Sequence, residues 1–146
     1  MIAPPRDPKA PAAREGHMRA ATLVSSFRYA FAGVRFLLWT QRNAKIHSAV
    51  GLAAAVMGAL LGLDRYEWLA LLLIITIVLA AEGVNTALEA VVDLASPDYH
   101  PLAKVAKDVS AGTVLITAIA AVLIGLVLFL PHLLPFLMEI VQTLAR

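Results

Sequence analysis

The 146-residue chain contains no cysteine, and only 15% of its residues carry a charge. Without cysteine it cannot form disulfides, bind zinc through thiolates or use a thiol nucleophile. An ordinary soluble domain is about 25% charged and about 45–50% apolar. Here 60% of the residues are hydrophobic, and the mean hydropathy is +0.80. The composition therefore indicates an integral membrane protein.

Familiar nucleotide and zinc motifs are also missing. The sequence has no Walker P-loop, no G-x-G-x-x-G and no H-E-x-x-H, so any nucleotide site is of a different kind. Eight of the twelve Lys and Arg residues lie at or before Lys45. Such a cluster beside a first hydrophobic span is typical of a cytoplasmic N-terminus near anionic lipid. We therefore expect a membrane surface as the partner of these residues, and no nucleic acid.

The N-terminal part divides into a tail and an amphipathic segment. Residues 1–24 are predicted to be a disordered tail, because the first seventeen residues hold four of the eight prolines and no apolar core. Residues 25–42 combine aromatic and aliphatic side chains with arginines at every seventh position. This pattern predicts a helix lying in the membrane interface, with Ser25 or Ser26 capping its start. The arginines are Arg28, Arg35 and Arg42.

Three stretches are long enough to span a bilayer, at about 1.5 Å per residue for a roughly 30 Å core. The first covers residues 46–63 and is rich in small residues that let helices approach closely. The second continues from Trp68 through Glu82 to Leu94, and Ser96-Pro97-Asp98 then breaks it. The third covers residues 109–130 and ends at Pro131. The small residues of the first span are Gly51, Ala55, Gly58 and Gly62.

These segments predict an all-α integral membrane fold with three transmembrane helices and an N-terminal surface helix. The termini would lie on opposite faces, the N-terminus in the cytoplasm and the C-terminus outside. Residues 25–131 would form the functional domain. Residues 132–146 would be a C-terminal extension, with a short interfacial helix from residue 135.

Polar residues recur at intervals of three and four near the end of the second span. Glu82, Asn85, Glu89 and Asp93 therefore share one helical face. Ionisable groups at the ends of membrane helices are costly and are functional-site candidates by default. Carboxylates with an amide present hard oxygen ligands, and Mg²⁺ is usually held by one or two carboxylates plus substrate phosphates. The face suits a metal–phosphate site, in which a glutamate would act as a general base on an alcohol.

A second polar set follows the break. Lys107 and Asp108, with His100 upstream and Lys104 between, offer cations for phosphate and a further carboxylate. A lysine near a helix start can also simply extend its ammonium toward water.

Two other functions fit parts of the pattern. The face that carries Glu82, Asn85, Glu89 and Asp93 is called the acidic stripe. It could line the ion path of a small oligomeric channel or transporter subunit, but charges would then be expected near mid-span on several helices. The acidic stripe could also be a polar packing face between helices of an oligomer. An inert membrane scaffold would explain the small residues but not the ordered acidic stripe.

Several motifs together resemble the small prokaryotic integral-membrane lipid kinases, the diacylglycerol kinase and undecaprenol kinase family. Glu82 to Asp93 reads E-x-x-N-T-A-L-E-x-x-V-D, and His100 to Asp108 reads H-P-L-A-K-x-A-K-D, followed by S-A-G-T-V-L. Upstream stand F-R-Y-A-x-x-G-x-R from Phe27 and R-N-x-x-x-H from Arg42. The last of these favours the undecaprenol branch, with diacylglycerol as the alternative substrate.

The resemblance implies a homotrimer that uses Mg²⁺ to transfer the γ-phosphate of ATP to a lipid hydroxyl at the cytoplasmic interface. It implies Glu82 as general base, with Asn85 orienting groups beside it, and Glu89 as a Mg²⁺ ligand. On the nucleotide side it implies contacts with ATP from four residues: Lys107, Asp108, Tyr29 and His47.

One position departs from the family pattern. The family usually has a second metal-binding glutamate just before the R-N pair, where this chain has Gln41. A glutamine carbonyl is a weaker Mg²⁺ ligand than a carboxylate. Either the affinity for Mg²⁺ is reduced, or another acid such as Asp93 compensates.

Overall fold

The computed structural model describes residues 23–144, apart from the side chains of residues 136, 137, 139, 140 and 144. Its helices are α1 (Leu23–Thr40), α2 (Arg42–Leu61), α3 (Arg65–Ala95) and α4 (Pro101–Leu144). By length and composition, α2, α3 and α4 can each cross a membrane. The predicted all-α integral membrane fold is confirmed. The predicted disordered tail lies, as far as residue 22, outside the described residues.

The chain divides into two compact units, Met1–Gly33 and Val34–Arg146. In the first, α1 begins at Leu23, so the prediction that Ser25 or Ser26 caps its start is wrong: both serines lie inside the helix. The guanidinium of Arg28 lies over the Tyr29 ring, 5.3 Å from its centroid.

In the second unit, small residues bring α2 against α3, as predicted. A Cβ atom added to Gly51 would lie 3.1 Å from Ile75 Cγ2, and one added to Gly58 would lie 3.5 Å from Leu71 Cδ2. Gly62 has a different role. Its φ of 71° places it in the left-handed region that ends a helix, and its N–H donates to the Gly58 carbonyl. The glycine thus ends α2 before the turn into α3.

The start of α3 is held by a reciprocal capping arrangement. Asp64 Oδ1 accepts from the backbone N–H groups of Tyr66 at 2.7 Å and Glu67 at 2.9 Å. Glu67 Oε2 in turn accepts from the Asp64 N–H at 2.8 Å. These bonds satisfy backbone donors that have no partner within the helix. From this start, at about 1.5 Å per residue, Glu82 lies about 25 Å along the helix.

The turn from α3 to α4 runs through the predicted break at Ser96-Pro97-Asp98. Ser96 Oγ donates to the Asp98 carbonyl at 3.0 Å. Pro101 is the first residue of α4, where its missing N–H costs nothing. His100 Nδ1 accepts from the Leu102 N–H at 3.2 Å and so caps the new helix.

The prediction that the third span ends at Pro131 is wrong, because α4 continues through Pro131 and Pro135 to Leu144. Proline removes one backbone donor from a helix but does not always end it when neighbouring groups are available. Here the His132 ring provides polar contacts beside the proline. Its Nδ1 lies 3.1 Å from the Leu128 carbonyl oxygen, and its Nε2 lies 3.5 Å from Glu67 Oε2.

The packed core lies where the start of α3 meets the later part of α4, and α2 borders it. Its buried members are Leu63, Leu71, Leu128 and Phe129. The helices α3 and α4 are antiparallel, so residues later in α3 contact residues earlier in α4. This register brings the end of α3, with its acidic stripe, against the start of α4.

Candidate active site

Glu82 is the most deeply buried ionisable side chain among the described residues, at 2% exposure. Its Oε1 lies 3.5 Å from Nε2 of His47, on the first turns of α2. Asn43, one helical turn before His47, is a further polar neighbour of the same carboxylate. Within the described part of the chain, Oε1 itself has no hydrogen-bond partner. The site therefore contains a carboxylate oxygen that can accept a proton.

Asn85 and Glu89 follow Glu82 on the same face of α3 and contact each other. Asn85 is 7% exposed, and its Nδ2 donates to Glu89 Oε1 at 3.1 Å. The Asn85 Oδ1 accepts from Ser110 Oγ, on α4, at 2.6 Å. A three-member polar chain thus connects the two helices beside the buried glutamate.

The basic residues of α4 pair with acids in this structure. Lys107 Nζ donates to Asp93 Oδ1 at 2.9 Å, and Lys104 pairs with Asp108 one turn away on its own helix. All four side chains are at least 39% exposed. Exposed pairs of this kind are worth only about 0–1 kcal/mol, so a phosphate group can readily displace the carboxylates from the lysines.

Gln41 occupies the non-helical position between α1 and α2, as the N-cap residue of α2. Its Nε2 donates to Thr40 Oγ1 at 3.2 Å, and its side chain makes no capping bond. In the described part of the chain, no group of three or more His, Asp or Glu side chains is arranged to hold a metal ion. Any Mg²⁺ bound here would need ligands from its substrate as well as from the protein.

Tyr29 belongs to the first unit and is described there by itself. Its side chain is 64% exposed and lies beneath the Arg28 guanidinium. Its predicted contact with the nucleotide stays a prediction.

Comparison with known proteins places the chain in a family. Residues 28–129 match the family model of the prokaryotic diacylglycerol kinases. The chain belongs to this family. Over 127 residues it is 46% identical to a diacylglycerol kinase of Synechocystis, covering 86% of this chain and 73% of the relative. Over 108 residues it is 41% identical to an undecaprenol kinase of Bacillus subtilis, covering 74% and 88%. A diacylglycerol kinase of Escherichia coli is 29% identical over 110 residues, covering 75% and 90%.

Membership of the prokaryotic diacylglycerol kinase family confirms the predicted family and enzyme class, a lipid kinase. It also agrees with the three apolar helices in indicating a multi-pass membrane protein. The family's relatives carry two substrate names, so both lipid alcohols remain candidates for this chain.

Two contacts in this diacylglycerol kinase family member were not predicted from its sequence. Asn43 belongs to the R-N pair of the family motif. It lies four residues before His47, and this helical spacing could have indicated that both side chains face Glu82. Ser110 stood in the recognised S-A-G-T-V-L run, but nothing local indicated that its hydroxyl reaches α3. Both residues contact the predicted site residues on another helix.

Proposed function

We propose that the protein transfers the γ-phosphoryl group of ATP to the hydroxyl of a membrane lipid alcohol, undecaprenol or diacylglycerol, at the cytoplasmic interface. The observation that carries this proposal is the buried Glu82, whose Oε1 accepts no hydrogen bond from the described residues, beside the paired Asn85 and Glu89. An acid is costly at this depth in a membrane-length helix, and a reaction that uses it explains its presence.

In the proposed reaction, Glu82 accepts the proton of the lipid hydroxyl while that oxygen forms a bond to the γ-phosphorus. The bond between the γ-phosphorus and the β–γ bridging oxygen breaks, and ADP leaves as the lipid phosphate forms. Phosphoryl transfer depends mainly on positioning and charge neutralisation. Asn85 would orient groups beside the base. Lys107 and Asp108 would contact ATP, with Lys107 exchanging its contact with Asp93 for a phosphate oxygen.

The donor set fits Mg²⁺ that arrives with the nucleotide. Mg²⁺ commonly takes one or two protein carboxylates together with phosphate oxygens. Glu89 is the carboxylate best suited, because Asn85 already holds its Oε1 in place. Gln41 would be a weaker ligand, and Asp93 a possible substitute acid. When bound, the ion would neutralise charge on the phosphates.

Kinase activity is tested with purified protein in mixed micelles containing Mg-ATP and either undecaprenol or diacylglycerol. We expect one or both lipids to be phosphorylated, and Glu82→Gln to lower kcat by about 10²–10⁴-fold, the usual contribution of a general base. Glu67→Gln is the matched control, since it makes the same change on the same helix and glutamine retains a capping acceptor. The proposal fails if neither lipid accepts phosphate, or if Glu82→Gln and Glu67→Gln behave alike.

We further propose that three copies assemble into a trimer. In the apolar part of each spanning helix, only 17–28% is buried within this chain, so much of the helix surface is left for lipid or further copies. Native mass spectrometry from detergent should give three times the chain mass of 15.6 kDa. A monomer mass under conditions that preserve activity would rule out the trimer.

A further inference from the structure

Ser110 is buried at the contact between α4 and α3, with 6% exposure. Its Oγ lies 2.6 Å from Asn85 Oδ1 and 3.0 Å from the Lys107 carbonyl oxygen. A serine hydroxyl has one hydrogen, and both of these neighbours are acceptors. The hydroxyl can therefore satisfy only one of them well, and the shorter contact is the one to Asn85.

The chemistry of Glu89 shows independently that the Ser110 hydroxyl donates to Asn85. A carboxylate has only acceptor oxygens, so Asn85 must turn its NH₂ group toward Glu89. That orientation directs Asn85 Oδ1 at Ser110, and the serine must then donate. Turning the amide over would place two acceptor oxygens 3.1 Å apart at Glu89. The three side chains therefore form a chain of donors with one direction, from Ser110 through Asn85 to Glu89.

We propose that Ser110 is a positioning residue, which locks the Asn85 amide so that it holds the Glu89 carboxylate in one orientation for the metal–nucleotide complex. The expected effect on Mg²⁺ dependence rests on the proposed kinase function, whereas the hydrogen-bond geometry does not. Ser110 lies one turn after Lys107 on α4. The same hydroxyl therefore links the helix that carries the base to the helix that carries the phosphate contacts.

Loss of the hydroxyl leaves a buried amide oxygen without its donor. Asn85 then regains the freedom to rotate, and Glu89 loses a fixed partner. The cost of one such hydrogen bond corresponds to an effect of about 2- to 12-fold on an equilibrium. We expect that factor in the Mg²⁺ concentration for half-maximal activity, with a smaller change in kcat.

The first measurement uses the fact that the chain has two asparagines, Asn43 and Asn85. Asparagine-selective ¹⁵N labelling of the full chain in micelles therefore gives two side-chain NH₂ signals, with Asn43 as an internal reference. In Ser110→Ala we expect the Asn85 signal to shift and its protons to exchange faster with water, while the Asn43 signal stays in place. This readout needs neither nucleotide nor activity.

The second measurement compares variants at two hydroxyl positions of α4. Ser110→Thr keeps the donor and should restore both the NMR signal and the Mg²⁺ dependence. Ser110→Cys, a weaker donor of similar shape, should fall between wild type and alanine, and it provides the comparison if the alanine variant folds poorly. Thr117→Ala is the control, because Thr117 Oγ1 donates only to its own helix, at the Val114 carbonyl.

The two measurements separate the possible failures. An unchanged Asn85 signal in Ser110→Ala overturns the inference, as does an equal effect of the alanine and threonine variants on Mg²⁺ dependence. In an Asn85→Ala background, Ser110→Ala should add nothing, and an additive effect would point to a purely structural role. If the wild-type protein phosphorylates neither lipid, the kinase proposal fails, while the NMR result still decides the geometry.

Discussion

Gln41 is the residue at which this chain departs from the expected metal site. It lies between α1 and α2, and its amide NH₂ donates to Thr40, which leaves the carbonyl oxygen as the side chain's potential ligand. A neutral carbonyl attracts a divalent cation less strongly than a carboxylate does. We therefore expect Gln41 to lower the affinity of the site for Mg²⁺.

We predict that Gln41→Glu lowers the Mg²⁺ concentration for half-maximal activity by roughly tenfold, equivalent to about 1.4 kcal/mol. The reason is the added anionic ligand, and the measurement is a Mg²⁺ titration at fixed ATP. Gln142→Glu, near the end of α4, makes the same change outside the site and should leave the titration unaltered. An unchanged midpoint in Gln41→Glu would refute the idea that the glutamine weakens metal binding.

The acidic stripe shows what residue spacing can predict. The helical period alone indicated that Glu82, Asn85 and Glu89 share a face, and the hydrogen bond between the last two agrees with it. The partners on other helices were not predictable in the same way. Ser110 lies 25 positions from Asn85 in the sequence, and only the register of two packed helices brings them together.

At the level of helices, the short polar turn between α2 and α3 is the best-defined boundary. Gly62 ends one helix and Asp64 begins the next, each by a local hydrogen-bonding pattern. Such patterns involve residues within a few positions of each other. The signals for this turn therefore lie within the four residues Gly62-Leu63-Asp64-Arg65 themselves.

We predict that Asp64→Ala destabilises the protein by about 0.5–2 kcal/mol, the usual cost of losing an N-cap acceptor. Both N–H groups that Asp64 accepts from would lose their partner. The change is measured as a lower unfolding temperature in detergent, with kcat unaltered below the transition. Asp64→Asn keeps the acceptor oxygen and should remain near wild type, so equal losses in the two variants would contradict the capping explanation.

The end of α4 shows where helix prediction failed. Proline is a strong helix breaker in isolation, and Pro131 was therefore predicted to end the third span. The helix continues because Leu128 and Phe129, just before the proline, are packed in the core, while His132 contacts Glu67 on α3. Tertiary contacts of this kind outweigh the local preference of proline to end a helix. They cannot be predicted from the residues around the proline alone.

For the whole molecule, we predict that the three candidate spans place the two termini on opposite sides of the membrane. The basic N-terminal residues favour the cytoplasm for that end, together with the turn that carries Lys104 and Lys107. The proposed reaction would require the active site on the same side, because ATP is in the cytoplasm.

Because the chain has no cysteine, single introduced cysteines test this orientation without background labelling. In intact spheroplasts, a membrane-impermeant maleimide should label Arg65→Cys and Gln142→Cys. It should label Ala13→Cys and Asp98→Cys only after permeabilisation. Phosphorylation of lipid by each variant confirms that it is folded. The reverse labelling pattern would place the proposed active site outside the cell and refute the orientation.

By itself, the sequence determined the class of the protein, the number of spans and the face that carries the acids. These properties depend on composition and on a period of 3.6 residues, which are local. The tertiary structure decided which group each polar side chain contacts: Asn43 and His47 at Glu82, Ser110 at Asn85, and Asp93 at Lys107. These contacts depend on how three helices are aligned along one another. That alignment follows from packing over their whole length, including small residues such as Gly51, and not from the residues near each contact.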